Sequence, residues 1–334
     1  IKDRHRALDE LAAMPHPTAF DALKKAVTGA FYDDVRLIAA LRVVQRDPAH
    51  CAIALPQLAS AITDTNDGQL SEALDRDLID AILNALSKVR DPDTIPDLIA
   101  LHNSGNDTLR QIVRHAIEHM GADAVPPLMA LLHDSDDNVQ QSVSRLLIAI
   151  GPDAVPALIE ALRTNHTVVR FIAAHILGEI GSPEAVPAMI EAMDRSDTHL
   201  QRVLVYALGR MADPRAIPAL ITLLDDRDMQ TVAAAVEALS RMDAQEAVPA
   251  LRHVVHRPEP TLKLAAIQAL GRFRDQGAAE TLIDALQYDE LQFQLVVVEA
   301  LAQLRNPLAI GPLTELVTHS NVTLRRSVIN TLAD

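Results

Sequence analysis

Apolar and polar positions alternate along this chain with two nested periods. Within each block of about thirty residues, apolar side chains recur three and four apart, the spacing of one buried face of an α-helix. Residues 182–212 show one block in full. Ser182-Pro183 has the form of a helix N-cap followed by a first-turn proline. Pro187 follows a turn later, where the helix must restart or bend. Met189, Ile190 and Met193 make the apolar stripe of a first helix. Ser196-Asp197 interrupts the pattern and caps a second helix, whose buried stripe is Leu200, Val203, Ala207, Leu208 and Met211.

The block repeats. An apolar-proline pair stands at 55–56, 95–96, 125–126, 155–156, 186–187, 217–218 and 248–249, and from Pro96 onward the prolines are 30, 30, 31, 31 and 31 residues apart. The register continues through Ala279-Glu280 and Ile310-Gly311 without proline. A fixed period of this length means stacked two-helix units. The expected fold is all-α, a right-handed α-solenoid of about ten helix pairs. Gly178, Gly209 and Gly271 fall inside second helices, where a glycine costs about 1 kcal/mol against alanine. Their recurrence predicts close approach of neighbouring helices. Gly121, Gly151 and Gly181 sit just past second helices, as left-handed C-caps.

These motifs resemble a known family. The segments GSPEAVPAMIEAM, HTVVRFIAAHILGEIG and DPRAIPALITLL are similar to the HEAT-like repeat of the phycobilisome-lyase type. The resemblance covers residues 15–334. Residues 1–14 read as the second helix of a repeat whose first helix is missing, and residues 327–334 as a second helix with no polar cap after it. The expectation is an arm of a longer protein. The 40-residue step from Pro56 to Pro96 implies an insertion near 63–76, whose Asp64, Asn66, Asp67, Gly68 and Glu72 miss the register of a calcium loop and read as a solvated connector. Ile148 takes the place of the small second-helix residue, which predicts a local change of stacking.

In such repeats the second helices line the concave side. Taking the residue before the Val-Arg arginine as position zero, positions two, six and ten share one exposed face. With position one added, these columns hold 12 basic and 5 acidic residues, against 30 and 45 in the whole chain. The net charge of −15 is thus unevenly spread: the inferred groove is positive and the rest strongly negative. Without position one, whose arginines could be used in internal ladders, the groove count is 7 to 5. The candidate partner-binding residues are His115, Arg145, Phe171, His175, Arg202, Tyr206 and Arg210. Phe171 and Tyr206 are two of only eight aromatics, and exposed aromatics and arginines are the usual interface anchors.

Catalytic chemistry is sparse. There is no phosphate-binding glycine loop, dinucleotide fingerprint or nucleophile elbow. His115 and His119 are four apart but lack an evident third ligand, so no metal is assigned, and no cofactor is implied. Deoxyhypusine hydroxylase, one HEAT-like family, holds two irons with His-Glu dipeptides, and this chain has none. The single cysteine, Cys51, excludes an intrachain disulfide and suits a reducing compartment. A cytoplasmic location is the expectation. No apolar run approaches the ~20 residues of a membrane span. The leading functional expectation is a non-enzymatic scaffold holding a protein or peptide with an anionic segment. Two alternatives stand beside it. The resemblance implies a bilin lyase-type subunit or tetrapyrrole chaperone. The basic columns suggest a nucleic-acid-binding array, which the acidic total opposes.

Overall fold

The computed structural model describes residues 2–29, 33–46, 54, 57, 94–103, 107–133, 136–193 and 197–333. Among these, every regular element is a helix or a 3-10 turn, and the architecture is an all-α solenoid. The insertion near 63–76 and Cys51 lie outside the described residues. The chain divides into two compact units, Ile1–Ala157 and Leu158–Asp334.

In the first unit the order is α1 (Lys2–Ala13), α2 (Pro17–Thr28), α3 (Asp33–Arg46), α4 (Ile95–Asn103), α5 (Asp107–Met120), α6 (Val125–Leu131) and α7 (Asp137–Ile150). α1 packs on α2 and α3, and α7 packs on α4, α5 and α6. From Val155 the order continues with α8 (Val155–Leu162), α9 (Thr167–Ile180), α10 (Val186–Met193), α11 (Thr198–Met211), α12 (Ile217–Thr222) and α13 (Met229–Arg241). It ends with α14 (Val248–Val255), α15 (Pro260–Phe273), α16 (Ala279–Asp284), α17 (Leu291–Leu304), α18 (Ile310–Glu315) and α19 (Val322–Ala333). In the second unit the second helices α9, α11, α13, α15, α17 and α19 lie side by side, each on the next.

The recurring proline has a local cause. From α5 to α17 each second helix runs into a 3-10 turn, such as Pro183–Ala185 or Pro214–Ala216, and in α6, α8, α10, α12 and α14 the first helix starts at the apolar residue before the proline. Proline then occupies the first turn, where its missing N–H has no intrahelical partner to lose. The alanine closing each turn (Ala124, Ala154, Ala185, Ala216, Ala247 and Ala278) is fully buried. Ser182 holds the N-cap position but makes no side-chain cap bond, whereas Asp213 accepts from the Arg215 amide at 3.0 Å and Asn306 from that of Leu308 at 2.8 Å.

A residue of positive φ follows the second helices from α5 on: Gly121, Gly151 and Gly181 (φ 57°, 73° and 70°), then Ala212, Asp243, Arg274 and Arg305, each at φ 52°. Gly181, Ala212, Arg274 and Arg305 are the left-handed caps, while Gly151, at ψ −129°, departs from that conformation. Within residues 137–162 an 18-residue window reaches a membrane-like mean hydropathy of 1.4. Gly151 divides them into α7 and α8, and Val143, Leu146 and Leu147 are buried in protein.

Candidate interaction face of the second helices

Side-chain caps fix where several second helices start, and so which side chains face outward: Asp136 caps α7, His166 α9, Asp197 α11 and Asp228 α13. Asp197 accepts from the amides of His199 and Leu200 at 3.0 and 2.9 Å. Asp228 accepts from the amide and hydroxyl of Thr231 at 2.9 and 2.7 Å. The Leu200 amide holds the Asp197 carboxyl below its usual range, and the Thr231 hydroxyl does the same for Asp228. From these starts, positions six and ten turn away from the core.

In the second unit, Phe171 and His175 project from α9 and Tyr206 from α11, all exposed. Phe171 is 45% and Tyr206 53% accessible, and Val168, one turn before Phe171, is 45% accessible. The Arg241 guanidinium of α13 lies 5.5 Å from the Tyr206 ring centre, and Arg241 also meets Glu237 at 2.6 Å. Two of the three arginines expected to anchor a partner, Arg202 and Arg210, are engaged between repeats. Arg210 forms an ion pair with Glu179 of the preceding repeat, which raises the arginine's proton affinity. Arg202 donates to Gln230, lies 3.7 Å from Asp228, and contacts His199 Nδ1 at 2.8 Å. Arg241, Gln230 and Asp228 escape a residue-by-residue reading of the sequence, because their roles come from the repeat next door.

In the first unit, His115 is exposed on α5, its ring centre 4.2 Å from that of His119. The His119 Nδ1–H donates to the His115 carbonyl at 2.9 Å, so that nitrogen is already occupied. Among the described residues no three His, Cys, Asp or Glu side chains gather as a metal site. Arg145 lies on α7 and lines an open cleft of about 420 Å³ with Arg110, Gln111, Arg114 and Glu118 of α5. His102 of α4 also lines it. This histidine is 5% accessible, and its Nδ1 meets the Ser142 hydroxyl at 2.9 Å, while that hydroxyl bonds Asn103 Oδ1.

Position one proves to be structural. Arg170 donates to the Leu162 carbonyl at 3.2 Å, Gln140 to that of Leu132 at 3.4 Å, and Gln294 to that of Leu286 at 3.4 Å. Each reaches eight residues back to a carbonyl at the end of its own first helix, where intrahelical donors run out. Arg325 donates to the carbonyls of His319 and Ser320. Lys263 instead lies over the Tyr288 ring, whose hydroxyl donates to the Val255 carbonyl at 3.1 Å. Arg110 meets Asp107 of its own helix at 2.7 Å, and Arg170 lies near enough to Asp197, the cap of the next second helix, to help lower its carboxyl. Much of the positive bias in the column count therefore serves the fold.

The family model for HEAT repeats matches residues 125–202, 188–262 and 254–333. No curated protein matches the sequence. Many solved structures share the fold. One is a chain of the Kap95p–RanGDP complex, 15% identical with a TM-score of 0.51, matching 98% of this chain and 58% of that one. Another is the complex of CpcE and CpcF of phycocyanin lyase from Nostoc sp. PCC7120, 23% identical over 62% of this chain and 92% of that one, with a TM-score of 0.37. Human deoxyhypusine hydroxylase is 19% identical over 80% of this chain and 98% of its own, with a TM-score of 0.33. At 15% identity the Kap95p–RanGDP match attests the fold alone. The family match covers well over half of the sequence, and the chain belongs to the HEAT-repeat family.

Proposed function

We propose that this chain is a scaffold that holds a protein or peptide on its second-helix face and catalyses no reaction on it. One observation carries the reading: Phe171 and Tyr206, on adjacent helices α9 and α11, stand 45% and 53% accessible in a chain otherwise nearly free of aromatics. Leaving large apolar rings in water is unfavourable, at roughly 25 cal/mol per Å² of apolar surface. Binding that covers them recovers this energy. The ion pairs of Arg210 with Glu179 and of Arg202 with Asp228 tie neighbouring repeats together. They hold the two rings on a surface that loses little freedom when a partner docks.

The test is site-specific photocrosslinking in cells, with a photoreactive residue at 171 or 206, and at the exposed Glu191 of α10 as the control. Discrete adducts are expected at 171 and 206. Adducts at 191 alone would overturn the proposal. With the crosslinked partner in hand, truncating Phe171 or Tyr206 to alanine is expected to weaken binding by about 2 kcal/mol each, about 30-fold.

A further inference from the structure

The cleft between α5 and α7 has a packing origin. Counted from the start of its helix, Glu118 of α5 occupies the place that Gly178 and Gly209 hold in α9 and α11, and Leu146 of α7 the place of Ala207 and Ala238. In the second unit those places are glycine against alanine, too close for another carbon atom. A glutamate and a leucine cannot approach so closely. The pair wedges α5 from α7 and leaves about 420 Å³ open between them.

The lining is cationic. Arg110, Arg114 and Arg145 face Glu118 as the one carboxylate among the lining residues. Arg114 meets that glutamate at a loose 3.5 Å, and among the described residues no carboxylate pairs with Arg145. Burial, with Arg110 and Arg145, favours the neutral form of His102, so the charge of the cleft is that of three guanidinium groups against Glu118, with Arg110 also paired to Asp107 and Arg145 the least engaged. Planar guanidinium groups match carboxylates in two-pronged hydrogen bonds. Ile148 and Ala149 supply a half-buried apolar flank. The rim, with Gln111, Arg114, Glu118 and Arg145 all exposed, is too open to enclose most of a free small molecule, as ligand pockets do. A side chain carried by a longer chain brings its own cover.

We propose that this cleft receives an aspartate or glutamate side chain of a partner peptide, with a neighbouring apolar side chain of that peptide against Ile148 and Ala149. The inference rests on the scaffold reading and adds the chemistry of one anchor to it.

The test uses an array of random hexapeptides that includes phosphoserine, probed with the full chain, with Arg145→Gln, with Arg145→Glu combined with Arg114→Glu, and with Phe171→Ala combined with Tyr206→Ala. Both arginines are exposed, and equal melting temperatures would verify that the variants fold. The wild type is expected to retain peptides in which Asp or Glu adjoins Leu, Ile, Val or Phe. Arg145→Gln should weaken those peptides by about tenfold or more, and the double charge reversal should turn the preference toward Lys and Arg. An acidic preference unchanged by Arg145→Gln overturns the cleft assignment. A preference for phosphoserine over Asp and Glu overturns the carboxylate. Peptides that depend on Phe171 and Tyr206 but are indifferent to acidic residues overturn the cleft and leave the scaffold standing. Failure of the wild type to retain any peptide overturns both.

Discussion

Gly209 of α11 meets Ala238 of α13 so closely that a β-carbon on the glycine would stand 2.6 Å from the alanine's β-carbon and 2.9 Å from its Cα. The contact recurs one repeat earlier, at 2.5 Å between Gly178 and Ala207, and again between Gly271 and Ala300. These pairs set the spacing of the second helices in the second unit. Gly209→Ala gains about 1 kcal/mol of helix propensity but forces two helices apart, so a net loss of about 1–2 kcal/mol is expected. Adding Ala238→Gly removes the 2.6 Å contact but leaves the Cα at 2.9 Å and costs helix propensity, so it should relieve the crowding only in part. Chemical denaturation of the single and double variants measures both effects. Equal midpoints for wild type and Gly209→Ala would show that the spacing is set elsewhere.

The left-handed ends of the second helices allow a stabilising change. Ala212 and Arg305 adopt φ 52° at the site where Gly121, Gly151 and Gly181 adopt 57–73°. Left-handed backbone costs a residue with a β-carbon roughly 1–2 kcal/mol. Ala212→Gly should therefore stabilise, by up to about 1 kcal/mol once the added freedom of the unfolded chain is deducted. Gly181→Ala should destabilise by a similar amount. Denaturation midpoints that move the opposite way would contradict the strain argument.

The repeat period, the capping aspartates, the close approach at the recurring glycines and the exposure of Phe171, His175 and Tyr206 are all legible in the sequence, because each follows from periodicity within a helix or from one repeat to the next. What could not be read is what depends on a neighbour. Arg210 reads as an open anchor until Glu179, 31 residues earlier, is seen beside it. Arg170 reads as a groove charge until its reach to the Leu162 carbonyl is known. Ile148 holds in α7 the place of Gly178 and Gly209, whereas the cleft between α5 and α7 turns on Glu118 and Leu146, whose pairing is set by two helices together.

The capping carboxylates give the chain an acid-sensitive component. Asp213 is held down to about 2, chiefly by the Arg215 side chain and then by that residue's amide. Asp197 and Asp228 are lowered by their cap bonds. A carboxyl whose pKa is lower folded than unfolded, where it is about 3.9, stabilises fully above that unfolded value. The contribution fades as the pH falls toward the folded one. Melting temperature should thus decline between about pH 4 and pH 2. Asp213→Asn keeps a side-chain oxygen for the cap and removes the titration, so its decline should be shallower. An unchanged slope would mean the Asp213 bonds do not persist in solution.

His102 gives the first unit a separate, milder sensitivity. Burial pushes its imidazole below the ordinary value of about 6.5. Arg110 and Arg145 push the same way, while the Asn103 side chain opposes them. The fold therefore favours the neutral ring, which suits its bond to Ser142. The sign follows from proton binding: as the pH falls below about 6.5, the unfolded chain takes up a proton that the folded chain refuses, so stability drops with pH until the folded ring also titrates. Hydrogen exchange in α4 and α7, corrected for its intrinsic pH dependence, should show weaker protection at pH 5.5 than at pH 7.5. His102→Gln, which cannot titrate, should remove that difference even if it lowers stability at both values. Direct titration of the imidazole by NMR decides the cause. A midpoint at or above 6.5 would mean that the ring is open to water and that the buried His102–Ser142–Asn103 cluster does not form.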